Sequence, residues 1–230
     1  MQLHHPSPEI LADYASGSVR LSHALCLAAH LEHCDACRQQ TQKLSQLGAS
    51  FFQQLAPETT HPARLEPLKD KVMALLDEES PSPAIVDIRP NLDVEPDRYN
   101  VPRSLHQFIR GGYSILEWTT VSPSIKIATL LKDKDGAQIA LSRVKAGGKM
   151  PHHRHTGDEL TVVLEGSFSD EGGIYRKGDF ISRDSRHKHK PVVTKDAECI
   201  CLMVLDAPIE FTGWFTRLLN PLVRKNHAQI

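Results

Sequence analysis

The chain changes its hydrophobic period once, at a run of prolines, and that change excludes a single continuous fold of one type. Through about residue 79 apolar residues recur every three or four positions, as on one face of a helix. Past about residue 104 they come in short runs separated by turn residues, the mark of strands. Between the two stands "SPSPAIVDIRPNLDVEPDRYNVPR", whose prolines cannot continue a helix and disfavour helix in the residue before each. The expected fold class is α + β in two domains: a small helical unit of about four helices over residues 1–80, a Pro-rich linker over 81–103 with room for a strand at Ala84 to Ile88, an antiparallel β-barrel over 104–212, and a helical tail over 213–230.

The helical half divides at its own punctuation. "PEILADYASG" sets Ile10, Leu11 and Tyr14 on one face and stops at Gly17, suited to a left-handed C-terminal position. "SVRLSHALCLAAHLEHC" repeats Val19, Leu21, Leu25, Ala28 and Leu31 and starts at a serine able to cap it. Leu44, Leu47, Phe51, Phe52 and Leu55 extend a third pattern. In "EPLKDKVMALLDEE" Leu68, Val72 and Leu75 or Leu76 form an apolar stripe, with Pro67 near the first turn. The β half reads "YSILEWTTV", "SIKIATLL", a Lys-Asp-Lys-Asp-Gly turn, "AQIALSRV", "ELTVVLEGSF", "GGIYRKGDFIS", "KPVVT" and "ECICLMVL".

Charge narrows the partners. The 27 Lys and Arg nearly balance 28 Asp and Glu, so neither nucleic acid nor an anionic membrane is an expected partner. "MQLHHPSPEI" has no basic region followed by an apolar one, and no apolar run reaches the roughly 18 to 20 residues of a membrane span. A cytoplasmic location is expected. Five cysteines do not make a disulfide framework in a chain of 230 residues, whereas 13 histidines are a clear excess.

"HLEHCDAC" places His30, Cys34 and Cys37 where a helix end brings them together, and imidazole with thiolate suits Zn2+, which takes four tetrahedral ligands in a structural site. A fourth ligand is needed; His5 is preferred because it would staple the first helix to the junction of the second and third, with His4, Cys26, His23 and His33 as alternatives. Together with "HHPSPEILADYASG", this segment resembles the zinc-containing anti-sigma domain of bacterial regulators over about Met1 to Glu79. The resemblance implies ligands His5, His30, Cys34 and Cys37, and a helical domain that clamps an extracytoplasmic-function type sigma factor. Leu68, Val72, Leu75 and Leu76 are the candidate sigma contacts.

The second constellation is "PHHRHTGDELTVVLEG". In a strand His153 and His155 share a face, and Glu159 opens a following strand that would hold its carboxylate rigidly. "GDFISRDSRHKHKPVV" offers His189, with His187 as competitor. Imidazoles and a carboxylate suit Zn2+, Fe2+, Mn2+, Ni2+ or Cu2+, so ligand type does not choose among them; Zn2+ is the first expectation. From Gly147 through His153, His155 and Glu159 to Gly166 the spacing resembles the first cupin motif; Gly178, Asp179 and His189 match the second, while Asp184, Arg186 and Val193 depart from it. The resemblance implies a cupin barrel with ligands His153, His155, Glu159 and His189.

In "ECICLMVL" alternation puts Cys199, Cys201 and Met203 on one face, which makes Cys199 and Cys201 redox candidates if that face lines the barrel. A helical zinc unit followed by a cupin resembles, nearly end to end, the ChrR family of anti-sigma factors. The resemblance implies a non-enzymatic switch that holds its sigma factor in a 1:1 complex and releases it under singlet-oxygen-like oxidative stress sensed through the cupin. The alternative is a metal-dependent cupin enzyme, of dioxygenase or isomerase type, carrying a zinc module for protein binding.

Overall fold

The computed structural model describes residues 4–56, 62–77, 99–134, 136–214 and 216–221. The chain divides into two compact units, Met1–Ser45 with Pro96–Ile230, and Gln46–Glu95. The strand expected at Ala84 to Ile88 and most of the 81–103 linker lie outside the described residues.

Helix α1 (Pro8–Ala15) is capped by the Ser7 side chain on the Ile10 N–H and ends through Gly17 at φ 73°. Helix α2 (Leu21–Leu31) is not capped by the serine ahead of it: its N-cap is Arg20, without a side-chain cap bond. The Ser22 N–H is met instead by Asp133 Oδ2 at 3.0 Å, from the hairpin that joins two strands 111 residues on. An orphan donor of the first turn is thus satisfied by the sheet it packs on. Helix α3 (Asp35–Gln53) ends just before Leu55 and runs into the second unit, where Phe51 and Phe52 are 60% and 75% exposed. Helix α4 (Pro62–Asp77) begins earlier than expected, so Pro67 stands in its interior and not near its first turn. Pro62 itself takes the N-terminal position that a proline favours.

The β half is antiparallel throughout its described pairings. Its strands are β1 (Thr119–Ser122), β2 (Ile125–Lys132), β3 (Gln138–Val144), β4 (His153–Arg154), β5 (Glu159–Glu165), β6 (Ser167–Asp170), β7 (Gly173–Arg176), β8 (Phe180–Arg183), β9 (Lys188–His189), β10 (Val192–Val193), β11 (Cys199–Leu205) and β12 (Glu210–Phe211). A six-stranded sheet in the order β1-β2-β3-β11-β5-β8 is accompanied by two three-stranded sheets, β10-β6-β7 and β12-β4-β9. Among the described residues these sheets do not close into one hydrogen-bonded cylinder, but the architecture is that of a cupin. "YSILEWTTV" is a strand only in its second half; Tyr113–Ile115 is a 3-10 turn, with Tyr113 fully buried and its carbonyl accepting from Trp118 Nε1 at 2.7 Å. The tail carries a 3-10 turn at Thr216–Leu219.

Both faces of the large sheet are buried. Ile139 and Leu141 of β3, Leu160, Val162 and Leu164 of β5, Phe180 of β8, and Ile200, Leu202 and Val204 of β11 form one core with Leu25, Leu27 and Leu31 of α2, Leu11 of α1, and Leu105 and Tyr113. The alternate residues Val144, Val163, Ile181, Cys199 and Cys201 form a second core with Phe168 and Val193 of the small sheet. At the end of α2 the Glu32 carboxylate accepts from the Arg103 and Ser104 N–H groups, both at 2.9 Å, and from Ser104 Oγ.

Two glycines with positive φ separate conformational cost from collision. Gly166, between β5 and β6, has φ 72°, and a Cβ there would run into the Glu198 carbonyl oxygen; Gly17 has a similar φ with nothing near. Gly17→Ala is expected to cost about 1 kcal/mol for the left-handed conformation, and Gly166→Ala more than about 3 kcal/mol because backbone must also move. Urea unfolding midpoints of the two variants check the difference.

Candidate metal centres

Two groups of side chains converge in the first unit. His5 lies just ahead of α1, His30 in the last turn of α2, and Cys34 and Cys37 on either side of the start of α3. The helix break at residues 32–34 keeps one turn's spacing across the junction, since the Cys34 N–H still donates to the His30 carbonyl at 3.1 Å. One donor atom from each of the four lies within 4.8 Å of the others, and His5 Nδ1 is 3.4 Å from both sulfurs. Nitrogen and sulfur on one tetrahedral zinc stand about 3.5 Å apart, given bonds of about 2.0 and 2.3 Å.

Proton placement supports a cation here. His30 Nδ1–H donates to the Gly178 carbonyl at 2.6 Å, so Nε2 carries only a lone pair; it is buried and has no hydrogen-bond partner. Burial holds His30 down to about 4, and burial together with the neighbouring Cys34 pushes the Cys37 thiol up to about 12. Deprotonating Cys37 at neutral pH calls for a positive charge, which the donor set suits. The other residues named for this role go elsewhere. Cys26 is wholly buried in the core, His23 meets Arg20 at 2.7 Å, the His4 ring lies against the Tyr175 ring at 4.5 Å, and His33 is not in the group.

In the barrel, His153 of β4 and His189 of β9 are directly opposed partners. His155 follows β4, and Glu159 is the first residue of β5. His189 Nε2 is 2.9 Å from His153 Nε2 and 3.1 Å from His155 Nε2. On their far side two of the rings donate to an acceptor, His153 Nδ1–H to the Pro151 carbonyl at 2.9 Å and His189 Nδ1–H to Asp170 Oδ2 at 2.8 Å, while His155 Nδ1 lies 2.8 Å from Glu159 Oε2 without hydrogen-bond geometry. His153 and His189 therefore turn lone pairs toward His155 Nε2 and one another. Burial, aided by His189, holds His153 down to about 4, so that ring stays neutral at neutral pH and suits a divalent cation.

Glu159 does not join the three nitrogens. Its carboxylate backs His155 and accepts from Thr161 Oγ1 at 2.7 Å; burial would raise it, but these contacts outweigh burial and hold it at about 2. His187 is not in the group either, since its Nδ1 pairs with Asp184 at 2.8 Å. Asp170 was not among the residues singled out from sequence. Its side chain is buried, takes His189 and Arg183 on one oxygen, and is held at about 2 because hydrogen bonds and the Arg183 charge overcome burial. No motif spacing marks it; an Asp-Glu pair ahead of a glycine turn is its only trace in sequence.

Beside the histidines opens a cavity of about 640 Å³, lined mainly by apolar side chains. Cys199, Cys201 and Met203 do line it, together with His153, Glu159 and His189. The two sulfurs of Cys199 and Cys201 are 3.7 Å apart as free thiols, and the Cys201 thiol is pushed well up by Cys199 and by burial. Leu68, Val72 and Leu75 are 57%, 48% and 58% exposed on α4, while the Leu76 side chain lies outside the described residues.

Residues 109–208 match the model of the ChrR cupin-like domain. The chain is 32% identical to the anti-sigma-E factor ChrR of Cereibacter sphaeroides over 96% of its own length and 98% of that protein's. It also resembles the solved complex of Rhodobacter sphaeroides SigE with the anti-sigma ChrR, with a TM-score of 0.72 at 29% identity, covering 89% of this chain and 99% of the matched one. Similarity of this degree over nearly the whole of both chains, with His153, His155 and His189 inside the matched cupin-like domain, places this protein in the ChrR family of anti-sigma factors.

Proposed function

We propose that this protein is an anti-sigma factor that sequesters an extracytoplasmic-function type sigma factor, in a 1:1 complex, and releases it under oxidative, singlet-oxygen-like stress. The observation that carries the reading is end-to-end similarity to a curated anti-sigma-E factor and to the solved complex of such a factor with its sigma partner. The role needs access to RNA polymerase, which fits a cytoplasmic location, and among the described residues no helix is long and apolar enough to cross a membrane.

Residues 1–80 supply the sigma-binding part, with His5, His30, Cys34 and Cys37 holding Zn2+. Residues 104–212 form the sensor, with His153, His155 and His189 holding a second divalent ion, zinc first. Glu159 either closes its coordination or, in the position seen, orients His155. The ion supplies a fixed positive charge that organises buried imidazoles. Cys199 and Cys201 give the cavity two oxidisable sulfurs. Oxidation at these sulfurs, with the ion in place, is the event read as stress. The chain is not an enzyme on this reading; the cavity favours a second one, in which the barrel turns over a small molecule. Its mark would be metal-dependent consumption of such a molecule, abolished by His153→Ala.

The surface on α3 and α4 gives the sharpest test. Leu68 and Val72 are exposed, so replacing both with Asp leaves helicity unchanged by circular dichroism. It is expected to weaken sigma binding at least about tenfold, because a charge buried without a partner costs more than about 1.4 kcal/mol. Gel filtration with an extracytoplasmic-function sigma factor and in vitro transcription give the readout; a full chain that neither binds nor inhibits any such factor removes the proposal.

The two halves should also separate by mutation. Cys34→Ala or Cys37→Ala is expected to lose one metal equivalent by elemental analysis and to lose inhibition of transcription, since zinc binding and folding are coupled in small helical sites. His153→Ala is expected to lose the other equivalent, keep sigma binding, and fail to release sigma on treatment with a singlet-oxygen generator. Normal release by that variant would take the barrel ion out of the switch.

A further inference from the structure

One short strand carries the outer contacts of both candidate metal groups. At its start, β8 is preceded by Gly178, whose carbonyl accepts from His30 Nδ1–H at 2.6 Å. Its first residue, Phe180, donates its N–H to the His4 carbonyl at 3.0 Å and sets its ring edge-on to the His30 ring at 5.8 Å. At its far end Arg183 donates to Asp170 Oδ2 at 2.9 Å, and the same oxygen accepts from His189 Nδ1–H at 2.8 Å. Arg183 also stands opposite Glu159 in the β5 register. Each histidine group is thus oriented by one end of the same four-residue strand.

That strand has little freedom to bend between its ends. Phe180 is sealed into the core under α2, and Ile181 into the core on the cavity side. A buried strand packed on both faces transmits a shift more readily than it absorbs one. Displacing its Arg183 end moves the carbonyl that fixes which nitrogen of His30 is free to bind.

We infer that the two metal centres are energetically coupled through β8: filling the His153, His155 and His189 group raises the affinity of the His5, His30, Cys34 and Cys37 group for its ion, and the reverse. The inference rests on the proposed metal sets but not on sigma binding. It assigns Asp170 and Arg183 as positioning residues for two centres at once. Emptying the barrel would then loosen the staple that holds α1, α2 and α3 together.

The test uses the full chain, stripped of metal and titrated with Co2+, whose near-ultraviolet thiolate band reports the cysteine-containing group while elemental analysis reports total metal. Wild type is expected to bind two ions; fewer than two overturns the metal assignments and the coupling with them. Given two, the variant His153→Ala with His189→Ala should bind Co2+ at the cysteine group at least about fivefold more weakly, within the range of ordinary allosteric coupling. Linkage requires that Cys34→Ser with Cys37→Ser weaken the barrel group by the same factor. Arg183→Gln leaves every proposed ligand in place and should shrink the coupling below twofold. Circular dichroism restricts the comparison to folded variants. Affinities that agree within twofold between wild type and the barrel variant, or two reciprocal shifts that differ, overturn the coupling alone.

Discussion

A β-sheet with apolar side chains on both faces must be covered twice, and that requirement organises this protein. One face of β3, β5 and β11 is covered by α1, α2 and the turns after residue 99; the other meets the small sheets and the cavity. The metal groups are consequences of the same arrangement. His30 approaches Gly178 because α2 lies on the sheet, and Glu159, Thr161 and Cys201 face the cavity because Leu160, Val162 and Leu202 face the helices.

The histidines share a further logic. Of the four whose distal nitrogen is held, His30 and His153 donate to backbone carbonyls, while His155 and His189 face carboxylates. Where the nitrogen donates, in His30, His153 and His189, the partner selects the tautomer and leaves Nε2 bare toward the centre of its group. The carbonyl partners cannot be protonated and the carboxylates are held low, so these acceptors persist on mild acidification.

Much of this was legible in the sequence, and the parts that were not share a cause. Alternation in "ECICLMVL" assigned Cys199 and Cys201 to one face of a long strand, where a period can be counted. Strands β4, β9 and β12 have two residues each, too few to show any period, and they carry or brace the histidines. Within "YSILEWTTV" apolar content suggested strand, but Tyr113 and Trp118 use their burial in a local turn. Local rules place the cap of α2 in the serine before it, whereas the first-turn N–H is met by Asp133, a tertiary partner those rules do not reach. Gly178 acts through its carbonyl, which any residue has, so its role leaves no side-chain signature.

The Glu32 carboxylate has a topological consequence. It sits at the end of α2 and binds the backbone at Arg103 and Ser104, so the chain departs and returns at one point. Everything between is an excursion closed at its base, and the compact unit Gln46–Glu95 lies within it as an insertion. The entropy of closing such an excursion grows only with the logarithm of its length. The unit Gln46–Glu95 can therefore lengthen, shorten or change composition at little cost to the rest of the fold, while Cys34 and Cys37 near the base and the sheet with its histidines stay as they are.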